Sequence, residues 1–157
     1  LMGKPNPTRV SAVTYSKIGN YQTKGVSRWV ALDTENLVFE TEDSASGLIR
    51  FDNGASLLFE VSWAINAKDT GMYVQVFGSK AGARTNPLEI YGEEENYLVD
   101  SHPIVKDENA FDNQVEHFIN CIKEGRQPIC PAEDGYLVQK ILNGIYDSAK
   151  LGKEIEL

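Results

Sequence analysis

The sequence predicts an α+β fold, in which helices pack on one face of an open, mainly antiparallel or mixed β-sheet. Three observations predict this class. Short segments with alternating apolar residues occupy the first two thirds of the 157-residue chain, and turn residues separate them. The last third changes to an apolar period of about 3.6 residues. Strands that precede the helices, instead of alternating with them, are typical of α+β proteins.

The first strand is predicted at Thr8 to Tyr15, where Val10, Ala12 and Val13 supply the apolar positions. The segment that follows, residues 16–36, has no regular period. A loop of this length is uncommon inside a compact domain and is usually functional or disordered. We therefore expect residues 16–36 to be the first part of the chain to move.

A β-hairpin is predicted where Asp52-Asn53-Gly54 separates the runs Gly47–Phe51 and Ala55–Trp63. Asn-Gly tolerates the positive φ angles of tight hairpin turns, so these runs should be antiparallel neighbours. One face of the second run is strongly apolar, because alternate residues share a face. That face carries Leu57, Phe59, Val61 and Trp63. Further strands are predicted at Leu37–Thr41, Met72–Phe77, Leu88–Tyr91 and Tyr97–Val99.

Two helices are predicted in the last third. The first has Asp107 as its expected N-cap and ends before Gly125. The second has Pro131 and Glu133 in its first turn and stops at Gly152. Each helix has an apolar stripe that we expect to be buried. The first stripe consists of Phe111, Val115, Phe118, Ile119 and Ile122, and the second of Leu137, Val138, Ile141, Leu142, Ile145 and Tyr146.

Composition and charge argue against several classes of function. The formal net charge is −8, and lysine and arginine are scattered along the chain, so we expect no nucleic-acid partner. Apolar runs such as Leu57-Leu58-Phe59 are too short to span a membrane. The sequence does not begin with a secretory signal pattern, so we expect a cytoplasmic protein. Cys121 and Cys130 match no zinc or redox spacing, and we expect two free thiols.

The glycine-rich segment Gly78-Ser79-Lys80-Ala81-Gly82-Ala83 does not match a nucleotide-binding motif. The dinucleotide motif needs G-x-G-x-x-G at the start of a helix, and a P-loop needs Gly-Lys followed by Ser or Thr. The residues that follow, Arg84-Thr85-Asn86-Pro87, are a poor helix start. We therefore expect a tight turn between strands here.

His117 is a candidate for ligand binding because of its position on the first predicted helix. Together with Gln114 and Cys121 it lies at the border of the apolar stripe. A polar row at this place can face a cleft, or it can mark the boundary between core and solvent. Cys121 lies four residues after His117, but two further ligands are missing, so we expect no metal.

The segment from Trp63 to Thr70 is the main candidate for substrate binding. It joins two predicted strands and combines an aromatic ring with the amide of Asn66, the amine of Lys68 and the carboxylate of Asp69. This mixture suits a polyhydroxylated ligand, and it equally suits an ordinary turn. Carboxylates are too numerous for residue type alone to select a general acid and base.

Several segments together resemble the C-terminal domain of the Gfo/Idh/MocA oxidoreductases, the family of glucose-fructose oxidoreductase and inositol dehydrogenase. These segments keep their order and spacing over nearly the whole chain. They are residues 42–55 (EDSASGLIRFDNGA), 60–63 (EVSW), 76–82 (VFGSKAG), 115–119 (VEHFI), 131–135 (PAEDG) and 150–153 (KLGK).

The resemblance implies a parent enzyme with an N-terminal Rossmann domain that binds NAD or NADP. In the family, that domain ends in a Glu-Lys-Pro motif with the catalytic lysine, and an aspartate-histidine pair follows on a helix. This sequence contains none of these features, and Leu1-Met2-Gly3 resembles the tail after that helix. The resemblance therefore assigns residues 1–157 to the C-terminal domain, with no catalytic or cofactor-binding residue and no activity alone. The implied reaction of the parent is hydride transfer between a carbinol carbon and nicotinamide.

For the C-terminal domain itself, the resemblance implies one wall of a substrate cleft and an open sheet face that packs against another subunit. Homodimers or homotetramers are then expected. The loop corresponding to Asn66–Thr70 can contact sugar or polyol hydroxyls. Inositol dehydrogenases often have a tyrosine in this loop, whereas Lys68 and Asp69 occur here. The candidate substrate-binding residues are Trp63, Asn66, Lys68, Asp69 and His117.

Two alternatives remain open at this point. The chain could be a free-standing, non-catalytic sugar-binding or oligomerisation module, since it has no nucleotide-binding motif. It could also belong to a family member that has lost activity. An upstream coding region with G-x-G-x-x-G would favour the oxidoreductase domain, and a start codon near Met2 would favour the module.

Overall fold

The computed structural model describes residues 3–18, 40–68, 71–106 and 108–157. The elements within these residues are β1 (Pro7–Tyr15), β2 (Ser44–Phe51), β3 (Ser56–Ser62), β4 (Gln75–Phe77), β5 (Gly82–Arg84), β6 (Glu89–Glu94), β7 (Tyr97–Ser101), α1 (Ala110–Glu124), α2 (Ala132–Leu151) and β8 (Ile155–Glu156). They form two compact units, which comprise residues 1–66 with 127–157, and residues 67–126. The predicted α+β class is confirmed, with two open antiparallel sheets. The predicted loop lies outside the described residues from residue 19 onward, as does the predicted strand Leu37–Thr41 up to residue 39.

The sheet of the first unit has the strand order β3-β2-β1-β8. Strands β2 and β3 form the predicted hairpin, in which Ile49 pairs with Leu57 and Gly47 with Phe59. Gly54 has a φ of +83° in the turn, which explains why glycine stands at this position. The prediction from Asn-Gly is therefore confirmed.

Helix α2 covers one face of this sheet, and the core lies between them. Four residues are buried in this core: Val10, Ala12, Ile49 and Ile145. The helix comes so close to β1 that a Cβ atom added at Gly144 would lie 2.8 Å from Val10 Cγ1. The Ser148 hydroxyl accepts a hydrogen bond from the Ala12 amide (2.9 Å) and donates one to the Lys153 carbonyl (2.7 Å). Apolar packing and a buried polar contact thus hold the helix to the strand.

The opposite face of the first sheet is open. Residues that alternate with the core positions lie on this outer face, because successive side chains of a strand point to opposite sides. Tyr15 is 52% exposed and Leu58 is 80% exposed. A depression of about 400 Å³ lies on this face. Its lining includes Ser11, Val13, Ser46, Leu48, Leu58 and Glu60.

The second unit contains the sheet β4-β5-β6-β7 and helix α1. Gly78 N donates a hydrogen bond to Ala81 O, so the glycine-rich segment forms the predicted tight turn. Strand β5 begins directly after this turn and was not predicted. On one face of the sheet, the Tyr91 hydroxyl donates to a Glu89 carboxylate oxygen (2.5 Å), and this bond is the main cause of a raised Tyr91 pKa.

The helix ends differ in part from the prediction. The N-cap of α1 is Asn109, whose side chain accepts from the amides of Phe111 and Asp112, so the expected cap at Asp107, which lies outside the described residues, is wrong. Proline at position 131 is the N-cap of α2 rather than its first helical residue. Gly125 and Gly152 end the two helices in the left-handed conformation, as predicted.

The two apolar stripes are less buried than predicted. In α1 all five stripe residues are exposed, from 44% at Ile119 to 74% at Phe111. Of the stripe residues in α2, only Ile145 is buried, and Val138, Leu142 and Tyr146 are exposed. Hydrophobic periodicity identifies the side chains that share a face, but it does not say how much of that face is covered.

Candidate functional site

Trp63 lies directly after β3 and is fixed at both its backbone and its ring. Its backbone amide donates a hydrogen bond to the Asp43 carbonyl (3.0 Å). Its indole Nε1 donates to the Glu42 carbonyl (2.6 Å). Trp63 is nevertheless 54% exposed. The only polar atom of the indole ring is thus bonded to the protein, while much of the apolar ring surface faces solvent.

Glu42 is tied in turn to helix α2. Both of its carboxylate oxygens accept from the Tyr146 hydroxyl, at 2.9 and 3.1 Å. This hydrogen bond, with smaller contributions from burial and the carboxylate charge, raises the pKa of Tyr146 above its ordinary value. The first unit therefore contains a continuous chain of contacts from α2 through Glu42 to Trp63.

Asp43 anchors the neighbouring chain segment. It is only 3% exposed, and its carboxylate accepts hydrogen bonds from the backbone amides of Lys17 and Ile18, the latter at 2.6 Å. The Asp43 amide donates to the Tyr15 carbonyl (2.6 Å). A buried carboxylate needs such partners, since its desolvation is costly without them. Asp43 therefore holds the end of β1 beside the start of β2.

The predicted site residues are divided between the two units. Asn66 is exposed in the first unit, and Lys68 is exposed in the second. Asp69 lies outside the described residues. His117 lies in the second unit on α1, where its Nε2 is 3.5 Å from the sulfur of Cys121. Among the predicted candidates, Trp63 is the one for which the described contacts form a structured site.

Sequence reasoning missed Glu42, Asp43 and Tyr146 as parts of this site. Glu42 and Asp43 were two acidic residues among many, and Tyr146 was assigned to a buried stripe. The contact between Tyr146 and Glu42 joins residues 104 positions apart, so no local pattern indicates it. Glu42 and Asp43 directly precede β2 in the sequence, but the sequence does not show which other strand ends they contact.

Two features of this arrangement suit ligand binding. An exposed indole ring can pack against the C–H face of a sugar ring, and the Glu42 carboxylate has lone pairs beyond the two that Tyr146 uses.

Within the four described ranges, no group of three or more His, Cys, Asp or Glu side chains could hold a metal ion. Neither helix in those ranges is long and apolar enough to cross a membrane. Cys121 and Cys130 do not form a disulfide bond.

Comparisons with known proteins agree on one family. The family model described as "Oxidoreductase family, C-terminal alpha/beta domain" of the Gfo/Idh/MocA group matches residues 1–157. The chain is 32% identical over 160 residues to D-glucoside 3-dehydrogenase from Escherichia coli K12, covering 100% of this chain and 44% of that protein. It therefore spans less than half the length of this relative.

Solved structures show the same fold. The aldose-aldose oxidoreductase of Caulobacter crescentus, complexed with glycerol, matches with a TM-score of 0.69 and 21% identity, over 98% of this chain and 42% of that one. An oxidoreductase from Agrobacterium radiobacter, in complex with NAD+, L-tartaric acid and magnesium, matches with a TM-score of 0.62 and 16% identity, over 96% and 43%.

Proposed function

The chain belongs to the family of C-terminal domains of the Gfo/Idh/MocA oxidoreductases, and from this premise we propose its role. It is the substrate-binding and oligomerisation domain of an NAD(P)-dependent enzyme that acts on a sugar, a polyol or a related compound. The observation that carries this proposal is the 32% identity to a D-glucoside 3-dehydrogenase along the entire chain. The exposed Trp63 ring beside Glu42 supports a sugar as ligand.

The nicotinamide cofactor is proposed to bind outside this chain. The residues present do not fit a dinucleotide, because the glycine-rich turn at Gly78–Gly82 leads into strand β5 and not into a helix N-terminus. We therefore assign no catalytic step to this chain. Its proposed contribution is to shape the substrate pocket, and the isolated domain is proposed to be inactive.

The loop that follows Trp63 is proposed to contact the substrate through Asn66, Lys68 and Asp69. Replacing Lys68 with alanine in the longer enzyme should raise KM, because an ammonium group that donates to substrate hydroxyls is removed. Lys80→Ala is a matched control, since Lys80 is an exposed lysine in the turn before β5. Equal KM values for both variants would show that Lys68 does not contact the substrate. His117 is retained as a proposed contact, with the same measurement on His117→Gln.

The outer face of the first sheet is proposed as the surface for homodimers or homotetramers. Its exposed Leu58 and Tyr15 and the depression between β1, β2 and β3 offer apolar area for a second copy. We also propose a cytoplasmic location, which agrees with two cysteines that do not form a disulfide bond. Cell fractionation with an antibody to this chain tests the location.

The activity is tested by nicotinamide reduction with a panel of glycosides, aldoses, inositols and sugar acids. The longer protein that contains this chain should reduce NAD+ or NADP+ with a sugar of the panel, and the 157-residue chain should not. Absence of reduction by the longer protein with every compound would contradict the proposal and favour a non-catalytic binding module.

A further inference from the structure

We propose that Glu42 and Tyr146 are positioning residues that hold the Trp63 ring as a platform for the C–H face of a pyranose. This inference rests on the proposed function, because it takes the ligand to be a sugar. It adds a preference for cyclic sugars over open-chain polyols, because cyclic sugars have a C–H face that open-chain polyols lack.

The hydrogen bonds to Trp63 fix its ring orientation. One bond holds the backbone amide to Asp43, and the other holds Nε1 of the indole ring to Glu42. A tryptophan side chain has two rotatable bonds, so fixing the backbone and Nε1 together selects one rotamer. The carbonyls that accept these bonds belong to consecutive residues, and any movement of that segment would turn the ring.

Helix α2 fixes the segment that carries these carbonyls. The Tyr146 hydroxyl contacts both carboxylate oxygens of Glu42, and the next helical residue toward the N-terminus, Ile145, is 9% exposed in the core. Asp43 is held independently by the amides of Lys17 and Ile18. Helix α2 therefore positions the tryptophan through Glu42. The three hydrogen-bonded residues, Tyr146, Glu42 and Trp63, come from separate parts of the chain.

The platform presents an apolar surface with a polar rim. The indole N–H is used internally, so a ligand over the exposed ring meets carbon atoms. The Glu42 carboxylate, which only accepts hydrogen bonds, lies at the same strand end and suits sugar hydroxyls. A pyranose offers both groups together, with ring C–H bonds on a face and hydroxyls around its edge. An acyclic polyol has no such fixed face and pays more conformational entropy on binding.

Trp63 fluorescence in the 157-residue chain tests the positioning without any ligand. The chain has two tryptophans, so Trp29→Phe leaves Trp63 as the only one. In this background, Tyr146→Phe should increase quenching by iodide and lower the emission anisotropy, because the ring gains motion. The increase in quenching should be at most about twofold, since Trp63 is already 54% exposed. Glu42→Ala should change quenching and anisotropy in the same direction. Glu42→Gln keeps an acceptor for the tyrosine hydroxyl and should therefore have a smaller effect than Glu42→Ala.

Tyr136→Phe is the control for this experiment, because Tyr136 is an exposed tyrosine on the same helix. It should leave quenching and anisotropy unchanged, and circular dichroism should show that every variant is folded. Equal quenching in the Tyr146→Phe and Tyr136→Phe variants would overturn the positioning role.

Kinetics of the longer enzyme test the platform. Tyr146→Phe and Trp63→Leu should each raise KM for methyl β-D-glucoside, by roughly three- to tenfold for the tryptophan variant, which loses the aromatic contact. The kcat should change little, and KM for sorbitol should not rise. Unchanged KM values despite altered fluorescence would overturn the platform. Absence of activity with all sugars in the wild type would instead contradict the proposed function itself, and the platform with it.

Discussion

Replacing Gly144 with alanine is predicted to destabilise the packing of α2 on the first sheet. The added Cβ would lie 2.4 Å from Leu157 Cδ2 and 2.8 Å from Val10 Cγ1. Real Cβ atoms do not come this close to other carbons, so at least one neighbour must shift. Val10 is 0% exposed, and Leu157 is packed against the core, so a shift of either side chain disturbs core packing.

The magnitude follows from two opposing effects. Overpacking of a core costs about 1–3 kcal/mol. Alanine stabilises a helix interior by about 1 kcal/mol relative to glycine. The net expectation for Gly144→Ala is therefore a loss of about 1 kcal/mol. Gly135→Ala is the matched control, because it lies in the same helix and its added Cβ would meet nothing within 4 Å.

Urea unfolding followed by far-ultraviolet circular dichroism measures both variants. The helix propensity gain is shared, so the difference between Gly144→Ala and Gly135→Ala isolates the overpacking cost of about 1–3 kcal/mol. Leu157→Ala added to Gly144→Ala should recover part of that cost, since the nearer clash is removed. If the two glycine variants have equal midpoints and slopes, the close contact of α2 with β1 and with Leu157 is refuted.

Three further predictions concern the first unit. Ser148→Ala should lower the free energy of unfolding by about 1–3 kcal/mol, because the buried Ala12 amide loses its acceptor; urea unfolding equal to that of wild type would contradict this. The hydrogen bond to Glu42 raises the pKa of Tyr146 above its ordinary value, so its stabilising effect is present below the unfolded pKa and is lost as the pH rises through the folded pKa. Ultraviolet titration should show that Tyr146→Phe removes a tyrosine step on the alkaline side of the ordinary tyrosine range, and loss of a step in or below that range would be inconsistent. Leu58→Glu on the outer face should shift light scattering toward the monomer, while Val61→Glu on the other face of β3 should not; a persistent oligomer in Leu58→Glu would exclude this surface.

Local sequence patterns predicted the features that depend on local physics. The hairpin at Asp52-Asn53-Gly54 follows from the backbone freedom of Asn-Gly, and the helix ends at Gly125 and Gly152 follow from the left-handed conformation that glycine tolerates. The N-cap of α1 was placed two residues too early, because Asn109 and Asp107 are equally good caps. The choice between them depends on where the chain enters the helix.

The candidate site depended on long-range register and could be predicted only in part. Trp63 was identified because an aromatic ring stood at the start of a polar loop. The residues that hold it, Glu42 and Tyr146, are separated from it by a strand pair and by most of the chain, respectively. Their contacts exist because β2 and β3 pair in one register and α2 packs on one face. The apolar period of α2 includes Tyr146, but it does not indicate the contact of Tyr146 with Glu42.

The measurement that tests the central claim most directly is nicotinamide reduction by the longer protein, with the 157-residue chain assayed alongside. We predict reduction of NAD+ or NADP+ with glycosides or aldoses by the longer protein and none by the chain alone. Reduction by the chain alone would contradict the proposal that the isolated domain is inactive. If the longer protein reduces neither NAD+ nor NADP+ with any compound of the panel, the proposal that it is a sugar oxidoreductase is contradicted.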